Sequence, residues 1–251
     1  MKAIGAYIIG DEILSGKRQD SHLPRVIETL RARGLRLDYA HYAGDDRDRL
    51  TSMLRASFER GDFAVSFGGI GATPDDHTRQ AAAAALGVPL VRHPEAEAEL
   101  VARFGAEAYP NRVLMAEFPE GSRIIPNPVN RVAAFAIRDH LFLPGFPQMA
   151  WPMFDWALAQ WYPDMRAAPM AERSILVFGA GESQLLELME ANVERFPTLK
   201  LFSLPSMLTP GERRIELGVK GDVLDVDAGL THLREGVEAA GFRWEPVSVA
   251  R

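Results

Sequence analysis

The stretch FAVSFGGIGATPDDHT, Phe63–Thr78, decides how the rest of the chain is read. Phe63 to Phe67 is a short apolar run bounded by turn residues, which predicts a buried strand. Gly68, Gly69 and Gly71 interrupt it, and a helix is predicted from Thr78 to Leu86, stopped by Gly87. A loop that joins a buried strand to a helix lies at the carboxyl end of that strand, the edge where open α/β sheets bind ligands. The glycines allow close backbone approach, and their N–H groups, with the helix N-terminus, can hold phosphate oxygens. Substrate contacts are therefore assigned to Gly68, Gly69, Gly71, Thr73 and Thr78. Asp75 and Asp76 set two carboxylates beside this cradle. Bare carboxylates repel phosphate, so the combination is coherent when a divalent cation lies between them. The plainer alternative is a tight turn in which Asp75 or Asp76 caps the helix.

Working outward, Ala3 to Ile9 predicts a strand, followed by a helix from Leu23 to Leu35 with Asp20 or Ser21 as N-cap. Leu37–Tyr42 reads as a strand and Asp45–Arg60 as a helix ended by Gly61. After the alanine-rich helix, Val88–Val91 reads as a strand, and Glu95–Phe104 and Asn111–Phe118 as helices. Arg123–Pro126, Val132–Ile137 and His140–Leu143 read as strands, and Pro147–Trp161 as a closing helix. Strands alternating with helices imply parallel strands joined by crossovers, hence an α/β fold with a mostly parallel sheet and helices on both faces.

The segment Pro163–Pro169, with its prolines and alanines, is the expected linker. Beyond it the order is strand (Ser174–Phe178), helix (Glu182–Arg195), strand (Lys200–Leu204), strand (Arg213–Lys220), helix (Asp227–Ala240), strand (Phe242–Val247). That is the split βαβ order of a small α+β module. Residues 1–165 and 170–251 are thus read as two domains.

Two more loops should open on the same sheet edge. Gly10-Asp11-Glu12-Ile13-Leu14-Ser15-Gly16 follows the first strand. Gly10 and Ser15 could contact a phosphate, and Asp11 or Glu12 a sugar hydroxyl or a metal; a polar connecting loop is the equal alternative. Gly44-Asp45-Asp46 follows the second strand, with Asp45 suited to orient water or a metal and Asp46 to cap the next helix. Three acid-bearing loops on one edge are harder to dismiss than any one alone.

Composition narrows the classes. With 251 residues, 47% hydrophobic and 25% charged, the chain is ordinary globular protein. A net charge of −6 argues against a nucleic-acid surface built on Lys and Arg. No cysteine is present, which removes disulfides, thiolate metal sites and a Cys nucleophile. The N-terminal apolar run meets Asp11 and Glu12 at once, unlike a signal peptide, and no run is long enough to span a membrane, so a cytoplasmic protein is expected. The six histidines show no ligand-like spacing; His77 sits beside the acids, and the others are expected at the surface or at helix caps. Trp151, Trp156 and Trp161 read as helix packing or an interface stripe. Around Gly179-Ala180-Gly181-Glu182 the GxxG loop of RNA-binding KH domains is absent, and the surroundings are acidic.

Taken together, GDEILSG (Gly10–Gly16), Gln19-Asp20-Ser21, Gly44-Asp45-Asp46 and GGIGATPDDHT resemble the molybdopterin-binding-like family, in its CinA N-terminal subgroup. Leu143-Pro144-Gly145-Phe146-Pro147 is similar to that family's LPGPP loop, and the second domain resembles the small KH-like domain of CinA proteins. The resemblance implies a metal-dependent nucleotide pyrophosphatase acting on ADP-ribose or FAD, with magnesium or cobalt as cofactor. It puts Asp45 and Asp76 in catalytic positions, Asp75 and Asp76 on the metal, and Asn127, Pro144 and Gly145 among the substrate contacts. It also implies a dimer or trimer, and a phosphate-containing small molecule, pterin or nucleotide, as ligand. The deamidase domain of full-length CinA proteins has no counterpart in these residues, so deamidation of nicotinamide mononucleotide is not expected.

Departures from the family pattern support an alternative, a non-catalytic pterin- or nucleotide-binding protein with a degenerate site. Ala72 replaces a usual proline and His22 a usual asparagine, while Phe146 and Gln148 alter the LPGPP loop. Between Asn127 and Phe135 the family's glycines are gone, and Arg131 is expected to block or re-aim a nucleotide.

Overall fold

The structure, a computed structural model, describes residues 2–167, 170–207 and 213–247. It divides into two compact units, Met1–Arg166 and Ala167–Arg251.

The first unit is built on a six-stranded sheet. β1 (Ile4–Ile9) is flanked by β2 (Tyr39–Ala43) and β3 (Phe63–Phe67), both parallel to it. Outside β3 lie β8 (His140–Leu143), also parallel, then β7 (Ala134–Ile137) and β6 (Arg123–Ile125), which run antiparallel to their neighbours. The order is β2-β1-β3-β8-β7-β6. Every residue of β1, β3, β7 and β8 is buried, as expected of strands covered on both faces. The helices are α1 (Asp11–Leu14), α2 (His22–Arg31), α3 (Arg47–Arg60), α4 (Thr78–Leu86), α5 (Pro94–Phe104) and α6 (Pro147–Trp161). A separate pair, β4 (Leu90–Arg92) and β5 (Glu117–Pro119), is antiparallel.

Local chemistry accounts for most boundaries. Asp46 caps α3 by accepting a hydrogen bond from Arg49 N–H at 2.8 Å, and Gly61 ends the helix at φ 71°. Asp20 serves α2, accepting from the N–H groups of His22 (2.7 Å) and Leu23 (3.2 Å). In α4 the small side chains of Ala81, Ala82 and Ala83 are buried, which lets this helix pack closely. The expected helix Asn111–Phe118 is absent: Arg112–Ala116 forms a 3₁₀ turn, and Glu117–Pro119 pairs with β4. Phe118 there joins a stack with Phe135 (4.8 Å) and Phe142 (4.6 Å from Phe135), so packing overrides helical propensity.

Two histidines depart from the expected surface role, for His22 and His140 are 5% and 2% exposed. His140 opens β8 within a polar network at the sheet edge where the parallel strands begin. Its Nε2 meets Ser57 Oγ at 2.8 Å, and Asp62 accepts from Tyr39 OH (2.7 Å), Ser57 Oγ (3.2 Å) and Arg60. Since Ser57 donates to Asp62, His140 Nε2 carries the proton and donates to Ser57, leaving Nδ1 buried without a partner. Burial pushes the His140 pKa down to about 4, although Asp62 and Asp139 oppose the shift.

The second unit contains β9 (Met170–Phe178), α7 (Glu182–Arg195), β10 (Lys200–Met207), β11 (Arg213–Asp222), α8 (Val223–Ala239) and β12 (Arg243–Pro246). Its sheet, β10-β11-β9-β12, is antiparallel throughout, in the split βαβ arrangement. Ile175, Val177, Leu217, Val219, Leu233 and Val237 form its separate core. Of the expected linker, Ala168 and Pro169 lie outside the described residues. No helix among the described residues is long and apolar enough to cross a membrane.

Candidate functional site

The loops that follow β1, β2, β3 and β8 open on one edge and line a cleft of about 580 Å³, within the range of small-molecule sites. Gly10 and Glu12 come from the first loop, Asp45 from the second, Gly68 to Thr73 with Asp75 and Asp76 from the third, and Pro144 and Gly145 from the fourth. Asn127, from the segment before β7, closes the far side.

The glycine loop is held by α4 in a way that leaves its N–H groups free. Thr78 Oγ1 donates to the Gly68 carbonyl (2.9 Å), Thr78 N–H to the Gly69 carbonyl (2.9 Å), and Arg79 to the Gly71 carbonyl (2.6 Å). In a planar trans peptide the N–H points opposite to the C=O. Drawing these three carbonyls toward α4 therefore turns the N–H groups of Gly69, Ile70 and Ala72 away from it. Among the described residues, no acceptor bonds the N–H of Gly69, Ile70, Gly71 or Ala72. Consecutive unpaired N–H groups in a glycine-rich turn form an anion-binding concavity. Gly69 is required here: its φ is 68°, and a Cβ would lie 2.3 Å from Thr78 Oγ1.

Acids line the same cleft. Asp45 Oδ2 accepts from Asp11 N–H at 3.0 Å, and Asp11 Oδ1 accepts from Asp45 N–H at 3.3 Å, which locks the first two loops together. Burial, with the charges of Asp11, Glu12 and Asp75, pushes the Asp45 carboxyl above its ordinary value against the effect of that bond. Asp76 instead accepts from Thr73 N–H (3.0 Å) and Thr73 Oγ1, closing the turn of its own loop. Among the described residues no three His, Asp or Glu groups converge to hold a metal ion. The acids thus do not fit a cage made of protein alone. An ion held here would take one or two of these carboxylates and complete its shell with water and ligand phosphates, as magnesium does.

Four expectations need correction. Ser15 does not line the cleft; it is the exposed C-cap of α1. Thr78 is fully buried, and its hydroxyl holds Gly68 instead of facing a ligand. Asp11 also lies outside the lining, turned to the Asp45 backbone. Asn127 does line the cleft, but its amide is engaged with Val132 O (3.1 Å) and with the N–H groups of Val129 (3.0 Å) and Asn130 (3.3 Å). Nor does Arg131 obstruct the wall: it adopts φ 59° and its guanidinium turns out to Glu99 at 2.6 Å. His77 does not line the cleft.

Several residues beyond the assigned contacts are present. Arg18 is the cleft's cationic side chain among the described residues, and its guanidinium lies 5.8 Å from the Phe146 ring centroid. Ile70, Met115, Val132, Phe146 and Met149 supply an apolar wall. A second hollow of about 260 Å³ shares Ile9, Glu12, Arg18 and Gly145 with the cleft and also reaches Ile8, Phe67 and His22. His22 stacks on Phe67 with centroids 4.3 Å apart. Trp151 N–H donates to His22 Nδ1 (3.3 Å), so Nε2 carries the proton and donates to the Gly145 carbonyl (3.2 Å). Burial lowers the His22 pKa, with Gly145 and Asp20 opposing, which keeps this tie neutral.

The family model described as a probable molybdopterin binding domain matches residues 5–164, more than half of the chain. The chain belongs to the molybdopterin-binding domain family. A putative competence-damage inducible protein of Levilactobacillus brevis is 36% identical over 190 residues, covering 71% of this chain and 45% of that protein. A CinA-like protein of Citrifermentans bemidjiense is 31% identical over 197 residues, covering 76% of this chain and 48% of the relative. The chain therefore spans about half the length of these relatives. A crystal structure of CinA from Thermoplasma acidophilum superposes with a TM-score of 0.58 at 27% identity, covering 63% of this chain and 98% of that one. The molybdopterin-binding domain of this chain, residues 5–164, contains the whole lining of the cleft.

Proposed function

We propose that the cleft binds the diphosphate of a nucleotide-type ligand and supports its metal-dependent hydrolysis, with ADP-ribose or FAD as the substrate type. The observation that carries this reading is the run of N–H groups from Gly69 to Ala72, unpaired among the described residues, in a cleft that Glu12, Asp45 and Asp75 also line. A divalent ion, when bound, lowers the pKa of water and offsets the negative charge that develops on the phosphoryl oxygens. Asp45 and Asp75 would hold it together with the ligand. Asp45 is the better suited of the catalytic pair: burial first, and then the charges of Asp11, Glu12 and Asp75, raise its pKa, and a bound cation offsets those charges. Asp76 acts through the loop it closes. The N–H groups of the glycine loop bind phosphate oxygens, Arg18 meets the second phosphate, and the apolar wall around Met115 and Met149 takes the ring system.

A second reading, binding of a pterin or nucleotide without turnover, is favoured by the internal engagement of Asp76 and by the lack of a three-group metal cluster among the described residues. One experiment separates the two. The protein is incubated with ADP-ribose and with FAD, in magnesium, cobalt or chelator, and AMP release is followed beside calorimetric binding. Metal-dependent AMP, lost in Asp45→Asn and reduced in Asp76→Asn, supports the hydrolase. Binding without release supports the second reading, and absence of both rejects each.

A further inference from the structure

One buried cation touches the cleft wall from behind. Arg79 is the second residue of α4 and is 3% exposed, on a buried helix face otherwise made of Thr78 and alanines. Its Nη1 donates to the carbonyls of Leu114 and Glu117 (3.0 Å to the latter), and its Nη2 to the carbonyl of Gly71. No carboxylate pairs with it within salt-bridge distance among the described residues, and its buried Nε has no acceptor. A fully buried guanidinium is costly unless ion-paired, and a Leu or Met would fill such space without a charge. Burial works to lower its pKa while Asp76 and Glu117 raise it, and an arginine keeps its proton throughout.

The charge has a use at this position. Glu12, Asp45, Asp75 and Asp76 line the cleft against a single lining cation among the described residues, Arg18. A phosphate approaching the glycine loop meets those carboxylates, and Arg79 lies directly under the same loop. Its grip on the Gly71 carbonyl also sets the plane of the Gly71–Ala72 peptide, and so the outward direction of the Ala72 N–H.

We propose that Arg79 is a positioning residue for anion binding: it fixes the Gly71–Ala72 peptide and supplies, from beneath the loop, positive charge that the acid-lined cleft needs to hold a phosphate. The inference rests on the reading that this cleft binds a phosphate-bearing ligand.

The test measures ADP-ribose affinity of the full chain by calorimetry in magnesium, for wild type, Arg79→Met and Arg79→Lys, with folding checked by near-ultraviolet circular dichroism. Loss of a charged hydrogen-bonding group should weaken binding about tenfold or more in Arg79→Met. Arg79→Lys, which keeps the charge, should recover most of that loss. Should Arg79→Met not fold, Arg79→Gln takes its place, since its amide keeps a donor near the carbonyls while the charge is removed. Unchanged affinity in the uncharged variant overturns the proposal, as does an equal loss in the uncharged and lysine variants. A wild type that binds no ADP-ribose rejects the proposed function and this inference with it. Wild-type binding unaffected by the uncharged substitution rejects the role of Arg79 alone.

Discussion

The glycine cradle yields a paired test, because the chain contains a second glycine with nearly the same φ and none of the contacts. Gly69 has φ 68° and Gly16 has φ 73°. Replacing either by alanine forces an L residue into the left-handed region, at about 1 kcal/mol or somewhat more. At Gly16 nothing lies within 4 Å of the new Cβ, so the cost ends there. At Gly69 the Cβ would sit 2.3 Å from Thr78 Oγ1, which must move and release its bond to the Gly68 carbonyl. Leaving that buried carbonyl and hydroxyl unpaired adds roughly 1–3 kcal/mol, for a total of about 2–4 kcal/mol. Urea unfolding followed by tryptophan fluorescence reads this, since three of the four tryptophans, Trp151, Trp156 and Trp161, lie in the first unit. The same preparations are titrated with ADP-ribose. Gly69→Ala should lose stability two- to fourfold more than Gly16→Ala, in rough proportion to those energies, and should bind the ligand more weakly, whereas Gly16→Ala should bind as wild type. Equal destabilisation and equal affinity in the two variants would refute the argument that α4 shapes the cradle through Thr78.

Four further outcomes follow from the same geometry. Asp45→Asn should raise the melting temperature at pH 7.5: a carboxyl whose pKa is raised on folding is destabilising while ionised, so the gain should shrink as pH falls toward the ordinary 3.8, and a gain that persists there would be wrong. His140 is neutral in the fold with a pKa of about 4 against 6.5 when unfolded, so its contribution is intact above pH 6.5 and lost progressively down to pH 4, by about 3 kcal/mol. Urea midpoints measured across that range should flatten in His140→Gln, and parallel curves for the two proteins would exclude His140 as the cause. Arg18→Ala should weaken ADP-ribose binding about tenfold while changing stability by no more than about 0.5 kcal/mol, as befits an exposed side chain facing a ligand. Chelating the divalent ion should weaken ADP-ribose binding as well, because each carboxylate near 4 Å from a phosphate charge costs on the order of 4 kcal/mol at an effective dielectric of 20; affinity indifferent to chelator would remove the metal from the proposal.

Most of the first unit's architecture is legible in the sequence because its stop signals are local. Gly61 and Gly87 end α3 and α4 in the left-handed conformation at φ 71° and 70°, and Phe63–Phe67 and His140–Leu143 are strands over the same residues in sequence and structure. Segment 111–118 shows the limit. Its spacing suits a helix, but Phe118 belongs to an aromatic stack with Phe135 and Phe142, partners set by sheet order and invisible to a local pattern. The second unit's strands were foreseen in number and order, while their lengths were not: β9 begins at Met170 and β10 runs to Met207, extended by pairing with β11.

The site divides along the same line. Glycines and acids that follow the parallel strands converge because strand ends converge, so chain position alone brings Glu12, Asp45, Gly69 and Asp75 to one cleft. What each polar group does there depends on distant partners. His22 is committed by Gly145 and Trp151, more than a hundred positions away. Arg131 reads as an obstruction in one dimension, yet Glu99 on α5 draws it outward and leaves the wall open. Arg79 carried a usable signal: Ala82 and Ala83, three and four residues on, are the buried face of a helix made of small side chains. A lone arginine on such a face must be expelled or enclosed, and enclosure needs acceptors. The structure provides three backbone carbonyls, one of them on the loop that lines the cleft. An arginine held by carbonyls keeps its charge, and that charge lies beneath a loop of the cleft whose N–H groups, among the described residues, are free to receive an anion.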